Sequence, residues 1–337
     1  MRLDNRKPMA SISNNLAIAN AKIPQRRRPL FMSINTVFQT DPTRTTMLRT
    51  RFVRQMNRRF GELKRDIRIS IVDNDCFGIQ PEVLRTLSPI PTKAYEFKRT
   101  SEKIRLFMKW LEEQEKLGIL EIIMRPGVHP GIETAWTDMF IDSAYSQGMR
   151  RGRAELRLRG YVVPTFESVP GGVGAVMSQP YHADRIGAIY TRTFEDLKSV
   201  TQVMNAQVRR QIADGLTTGL ARGMAEGKNP RVIARELVKD VANHVDKIGV
   251  TRARTIARTE VIRAHHVATI TEYEQAGREM GVEIMADWAT GGNPCGICID
   301  LRNDGPYSLK EIEGMIPAHP NCVCVALPII EKEKREK

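Results

Sequence analysis

The chain has 337 residues, 41% of them hydrophobic and 27% charged, with 52 Lys+Arg against 39 Asp+Glu for a formal net charge of +13. That apolar content suffices for real cores and excludes a wholly disordered chain, while the lack of any run of about 18 apolar residues excludes a membrane-spanning helix. Residues 1–20 mix charges and amides with no apolar stretch, unlike a secretory signal, and five cysteines are too few for a disulfide scaffold of this size. The expectation is a soluble, basic protein made inside the cell.

The charge is concentrated at one end. Residues 1–65 hold fifteen Lys+Arg and three Asp+Glu, a net +12, which leaves +1 for the other 272. A basic head on a neutral body points to a polyanionic partner, nucleic acid or an acidic protein surface. Residues 1–41 read as a largely extended arm with Pro8, Pro24, Pro29 and the triplet Arg26, Arg27 and Arg28. From Pro42 onward Leu48, Phe52, Met56, Phe60 and Leu63 recur at helical spacing, and Asp41-Pro42 has the chemistry of a helix start. The opposite face carries Arg49, Arg51, Arg54, Arg58 and Lys64. Such a face is often only solvated; together with the arginine triplet it reads as a polyanion contact.

Next, Gly78–Pro91 is rich in breakers, and Ser101–Leu117 is helical through Ile104, Phe107, Met108 and Leu111, with Gly118 at its end. Residues 66–130 otherwise carry no pattern that fixes a fold. A helix is expected within Ile132–Leu158, and it turns basic at Arg150, Arg151, Arg153, Arg157 and Arg159. The Pro/Gly-rich 161–180 is a linker or a loop between packed helices. Three helical segments follow: Ala183–Met224, with Gly215 and Gly219 as interruptions, Pro230–Asp246 and Thr251–Gly277. The pair His265-His266 reads as helix surface. Val282–Ala289 and Val323–Ile329 read as short strands. The expected fold class is mainly α, a helical body with a small C-terminal zinc-stabilised α+β unit. Its divisions are 1–41, 42–160, 161–180, 181–281, 282–330 and a charged tail at 331–337.

Four of the five cysteines lie between Cys295 and Cys324. Cys295-x-x-Cys298 in a tight turn aims two thiolates at one centre, and His319, Cys322 and Cys324 supply the rest of a tetrahedron, the pattern of a closed structural zinc site. Cys322 and Cys324 face opposite sides of an extended strand unless the chain turns there. The favoured set is therefore Cys295, Cys298, His319 and Cys322, with Cys324 the first substitute. Pro294-Cys295-x-x-Cys298 also matches half of a zinc deaminase signature, but no HxE supplies the general acid. No catalytic residues are assigned.

Two blocks in order, Arg254-Thr-Ile-Ala-Arg258-Thr-Glu260 on a helix and Cys295-x-x-Cys298 followed by His319-Pro-Asn-Cys322-Val-Cys324, resemble the C-terminal domain of the Mu F-like minor head (head morphogenesis) proteins of tailed bacteriophages. The resemblance covers about residues 190–330. Val323 stands where that family usually has Arg. The resemblance implies a low-copy virion head component, made in the host bacterial cytoplasm, that acts at the portal vertex in head assembly and in DNA packaging or delivery. It implies the portal protein as partner, with the major capsid or scaffolding protein and non-specific double-stranded DNA as further candidates, and no membrane. Arg258 and Glu260 are expected to tie their helix to the zinc unit by charge-assisted hydrogen bonds. The alternatives are a zinc-containing nucleic-acid-binding regulator and, less favoured, a metal-dependent enzyme acting on nucleic acid.

Overall fold

The computed structural model describes residues 41–79, 100–123 and 134–330. Helix α1 (Thr46–Arg68) runs into a π-type turn at Ile69–Asp73, and α2 spans Thr100–Gly118. A two-residue antiparallel ladder of β1 (Ile122–Ile123) with β2 (Thr134–Ala135) leads to α3 (Asp138–Leu158). The short α4 (Gly172–Met177) precedes α5 (Pro180–Asp214), which continues through a π-type stretch at Gly215–Gly219 into α6 (Leu220–Ala225). Then α7 (Pro230–His244) passes through another such stretch, Val245–Val250, into α8 (Thr251–Met280). The rest is small: β3 (Ile284–Ala289), α9 (Gly296–Asp304), β4 (Tyr307–Ser308), α10 (Leu309–Ile312) and β5 (Val325–Ile330). The strands lie in the order β4–β3–β5, all antiparallel. The chain is thus a mainly helical body with a small C-terminal α+β unit. Among the described residues no helix is long and apolar enough to cross a membrane.

The stripe on α1 does what its spacing requires: Phe52, Met56, Phe60, Leu63 and Ile67 are buried. Phe52 stacks on Phe140 of α3 at 4.4 Å and meets the edge of Trp136 at 5.7 Å. The helix begins at Thr46, not at Pro42. Asp41 does not cap it through backbone amides; its carboxylate accepts from Thr43 N at 3.1 Å, from the Thr46 hydroxyl and from Arg49 Nη2 at 2.5 Å. Asp41 therefore belongs with the body, although the charge pattern placed it at the end of the arm. The remainder of the arm and the tail at 331–337 lie outside the described residues.

Helix α8 is the central strut, with fifteen of its thirty residues buried. Its N-terminal half packs into the large helical core through Ala253, Ala257, Val261 and Ala264, and its C-terminal half packs under the strands through Ile270, Tyr273 and Ala276. A helix buried on several sides carries no single apolar stripe. That explains why His265 and His266, expected at the surface, are both buried. Helix α3 crosses α8 closely because Gly148 and Gly152 face it: a Cβ on Gly148 would sit 2.1 Å from the His265 carbonyl oxygen. Thr269 Oγ1 donates to the Gly148 carbonyl at 3.1 Å across this crossing.

The Pro/Gly-rich 161–180 is a loop between helices that pack together. Phe166, Val176 and Met177 are buried in the same core as residues of α1, α3, α5 and α8, so no linker divides the body there. The basic end of α3 is largely consumed inside the fold. Arg153 donates to Glu272 of α8 at 2.7 Å and lies 3.8 Å above the Phe166 ring, while Arg151 and Arg159 both pair with Glu155.

Candidate metal centre

The C-terminal unit brings its donors together by two short backbone devices. The first is the start of α9, where Cys295 is the cap residue and Cys298 stands in the first turn, so that both sulfurs lie at the helix N-terminus. The amides of Cys298 and Ile297 point at the Cys295 sulfur, and such a position favours thiolate. The Cys295 thiol is accordingly held below its ordinary value, chiefly by the backbone amide of Cys298. The second device is a turn at 319–322. Asn321 takes a left-handed conformation (φ 64), which Asn tolerates better than most residues, and Cys322 N donates to the His319 carbonyl at 3.1 Å.

This turn changes the expected disposition of the last two cysteines. The strand β5 starts only at Val325. Cys322 and Cys324 precede it, and their sulfurs converge instead of facing opposite sides. Two triads result, Cys295–Cys298–His319 and Cys298–Cys322–Cys324, each with its ligand atoms within 4.8 Å of one another. Cys298 is the shared vertex. Its sulfur is 3.2 Å from His319 Nε2 and 3.9 Å from the Cys322 sulfur, and the Cys295 sulfur is also 3.2 Å from Nε2.

The donor set fits a zinc-type ion. A tetrahedral site with Zn–S of about 2.3 Å and Zn–N of about 2.0–2.1 Å separates its donors by about 3.5–3.8 Å, close to these spacings. His319 Nδ1 donates to the Pro320 carbonyl at 2.9 Å, which leaves the Nε2 lone pair facing the sulfurs. That same bond raises the His319 value. The Cys322 thiol is held down to about 5, first by the hydrogen bond from Cys324, whereas burial pushes Cys298 up to about 12 and the bond to Cys322 pushes Cys324 up. Two thiols held low beside two held high form an arrangement that a cation completes by displacing the remaining protons. The cluster of Cys295, Cys298, His319, Cys322 and Cys324 could thus hold a metal ion such as zinc.

Around the cluster the unit is fixed to α8. His266 Nε2 donates to the Ile312 carbonyl at 2.9 Å, Tyr273 Oη donates to the Ala326 carbonyl at 3.2 Å, and Arg185 pairs with both Glu274 and Glu313. Arg258 Nη1 reaches Asn321 Oδ1 in the His319–Cys322 turn at 3.4 Å. Glu260 does not share this task. It is buried, pairs with Arg263 at 3.1 Å and faces Arg192 at 3.8 Å, and burial raises its carboxyl above the usual range. Arg258 and Glu260 are therefore separate contacts, one to the metal loop and one within the helical body. Sequence reasoning missed Asn321 and His266. Asn321 lay between two identified donors, His319 and Cys322, and an Asn flanked by ligands was the available signal.

The expected polyanion face divides. Arg51, Arg54 and Arg58 are exposed on α1, whereas Arg49 has only 15% of its side chain exposed and is locked to Asp41. Arg49 is part of the fold, because the residue at the start of the stripe leans towards the Asp41 turn. Arg26, Arg27 and Arg28 lie outside the described residues. Comparison with protein-family models, curated proteins and solved structures finds no match to this chain.

Proposed function

We propose that this chain is a minor head component of a tailed phage, acting at the portal vertex in head assembly and in DNA packaging or delivery, with a structural zinc in its C-terminal unit. One observation carries the reading most directly. The two sequence blocks behind the resemblance meet in space: Arg258 of the first reaches Asn321 in the metal loop of the second. The proposed ligands are Cys295, Cys298, His319 and Cys322, with Cys324 the first substitute, since the last two cysteines both lie against Cys298. Four protein donors leave no position for a reactive water, which argues for a fastening role and against catalysis. When bound, zinc supplies cross-linking free energy to a unit too small to bury much apolar surface.

In this reading the basic segment, with Arg26, Arg27 and Arg28 and the exposed Arg51, Arg54 and Arg58, contacts phosphates or an acidic protein ring without reading sequence. The decisive experiment is co-purification. The full chain expressed with its particle-forming partners is expected to travel with portal rings or assembled heads at a defined low copy number. A chain that never joins particles yet binds one DNA sequence preferentially points to a nucleic-acid-binding regulator and ends the proposal. Deleting residues 1–40 is expected to leave a folded body and remove most DNA binding. Affinity that involves six to ten phosphates falls by roughly 10³–10⁵ between 50 and 200 mM salt.

A further inference from the structure

A cleft of about 530 Å3 lies between α2 and α5, built from none of the residues of the metal unit. Its floor is Glu115 and Asn205, which are 2% and 8% exposed. Asn205 Nδ2 donates to Glu115 Oε2 at 2.7 Å, while Glu115 Oε1 and Asn205 Oδ1 are buried with no hydrogen-bond partner among the described residues. Two orphaned polar atoms side by side cost free energy that the fold alone does not return. Burial lifts Glu115 to about 8, so at neutral pH it largely keeps its proton. A protonated acid and an amide joined edge to edge offer a donor from the Glu115 hydroxyl, since Oε2 already accepts from Asn205, and an acceptor from Asn205 Oδ1.

Above this floor the walls include Leu120 and Ala206, and the exposed cations Lys116, Arg209 and Arg210 also line the cleft. None of these three cations has an acidic partner among the described residues, whereas Lys198 is paired with Glu195 at 3.3 Å. The cleft thus combines a hydrogen-bonding floor, apolar walls and a cationic rim at a volume typical of small-ligand sites. Inorganic phosphate would satisfy only the rim. An apolar anion would leave the floor atoms unpaired.

We propose that this cleft binds a nucleoside monophosphate, its base edge on Glu115 and Asn205 and its phosphate at Lys116, Arg209 and Arg210. A flat base carries adjacent donors and acceptors on one edge, lies against apolar walls and brings its own anion. The inference is independent of any role in particles, since the cleft uses no residue of the metal unit or of the basic arm.

The test titrates the full chain calorimetrically with AMP, GMP, CMP and UMP separately, and with inorganic phosphate. At least one nucleotide is expected to saturate with Kd below about 1 mM, and phosphate alone to bind about tenfold more weakly or worse. Asn205→Leu should weaken that nucleotide by about tenfold or more. The double variant Arg209→Ala/Arg210→Ala should weaken the nucleotide and leave the parent nucleoside unchanged. Because the two arginines are exposed, this second variant stays informative even if Asn205→Leu fails to fold. Failure of all four nucleotides to bind, phosphate binding as tightly as nucleotide, or nucleotide affinity untouched by the arginine variant overturns the proposal.

Discussion

Replacing Gly148 with alanine tests the crossing on which the helical body depends. The added Cβ would meet the His265 carbonyl oxygen at 2.1 Å and the Ala268 Cβ at 2.9 Å. The oxygen is main-chain and cannot swing aside, so α3 and α8 must separate by about 1 Å, an overpacking cost of about 1–3 kcal/mol. Separation also strains the bond from Thr269 Oγ1 to the Gly148 carbonyl, worth about 1 kcal/mol. Against this, alanine in a helix interior is favoured over glycine by about 1 kcal/mol. With a rigid backbone oxygen as the obstacle, the upper part of the range applies, and the net loss is about 2–3 kcal/mol. Urea unfolding of the full chain measures it, with Gly61→Ala on α1 as the control. A Cβ at Gly61 meets nothing within 4 Å, so that variant should gain about 0.5–1 kcal/mol. A Gly148→Ala protein as stable as the Gly61→Ala protein refutes the close crossing.

Four further expectations follow from the same structure. Cys298→Ser, at the vertex common to both triads, should abolish stoichiometric zinc as read by elemental analysis, whereas Cys324→Ser should retain it; the reverse pattern rejects the proposed ligand set. Trp288 is buried in the same cluster as Cys298, so chelation should alter its fluorescence once Trp110 and Trp136 are replaced by Phe. Burial holds His265 down to about 3 and His266 down to about 4, so the folded chain binds fewer protons than the unfolded one just below pH 6.5. Their contribution is fully present above about 6.5 and is lost as pH falls towards those values; each costs about 1 kcal/mol between pH 6.5 and 5.5, and His265→Leu should flatten the profile by that amount. Arg49→Ala should destabilise by about 1–2 kcal/mol because it breaks a half-buried pair with Asp41, while Arg54→Ala should stay within about 0.5 kcal/mol and instead weaken DNA binding in a gel-shift titration.

Much of the body was legible because its helices have one apolar side. The stripes of α1 and α2 and the breaks at Gly215 and Gly219 follow from spacing and glycine alone. What periodicity could not resolve was α8. Its apolar and polar residues alternate between two cores, so His265 and His266 looked like surface positions and Glu260 like a second tie to the zinc unit beside Arg258. The metal cluster was legible as a set of donors, because CxxC and HxxCxC are local patterns. Its geometry was not. The convergence of Cys322 and Cys324 depends on the left-handed Asn321, one residue's backbone choice that the spacing does not record. Glu115 and Asn205 were equally invisible, since they lie ninety residues apart and meet only when α2 packs on α5.

The two cores make α8 the element through which the metal unit acts on the rest of the chain. Tyr273, Ile270 and Ala276 serve the strand cluster, and Ala253, Ala257 and Val261 serve the helical core on the same continuous helix. Contacts from the C-terminal unit are spread along it, from Arg258 at the metal loop through His266 at the end of α10 to Tyr273 at β5. A fastening at one end that holds this helix straight also holds the surface on which α3 and α1 pack. Metal loss is therefore expected to loosen the strand cluster first and the helical core only afterwards. Hydrogen exchange should show Ala286 and Ala326 amides opening before those of Ala257 and Val261. Simultaneous opening of both sets would mean that the two cores form one cooperative unit, with α8 as an indivisible part of both.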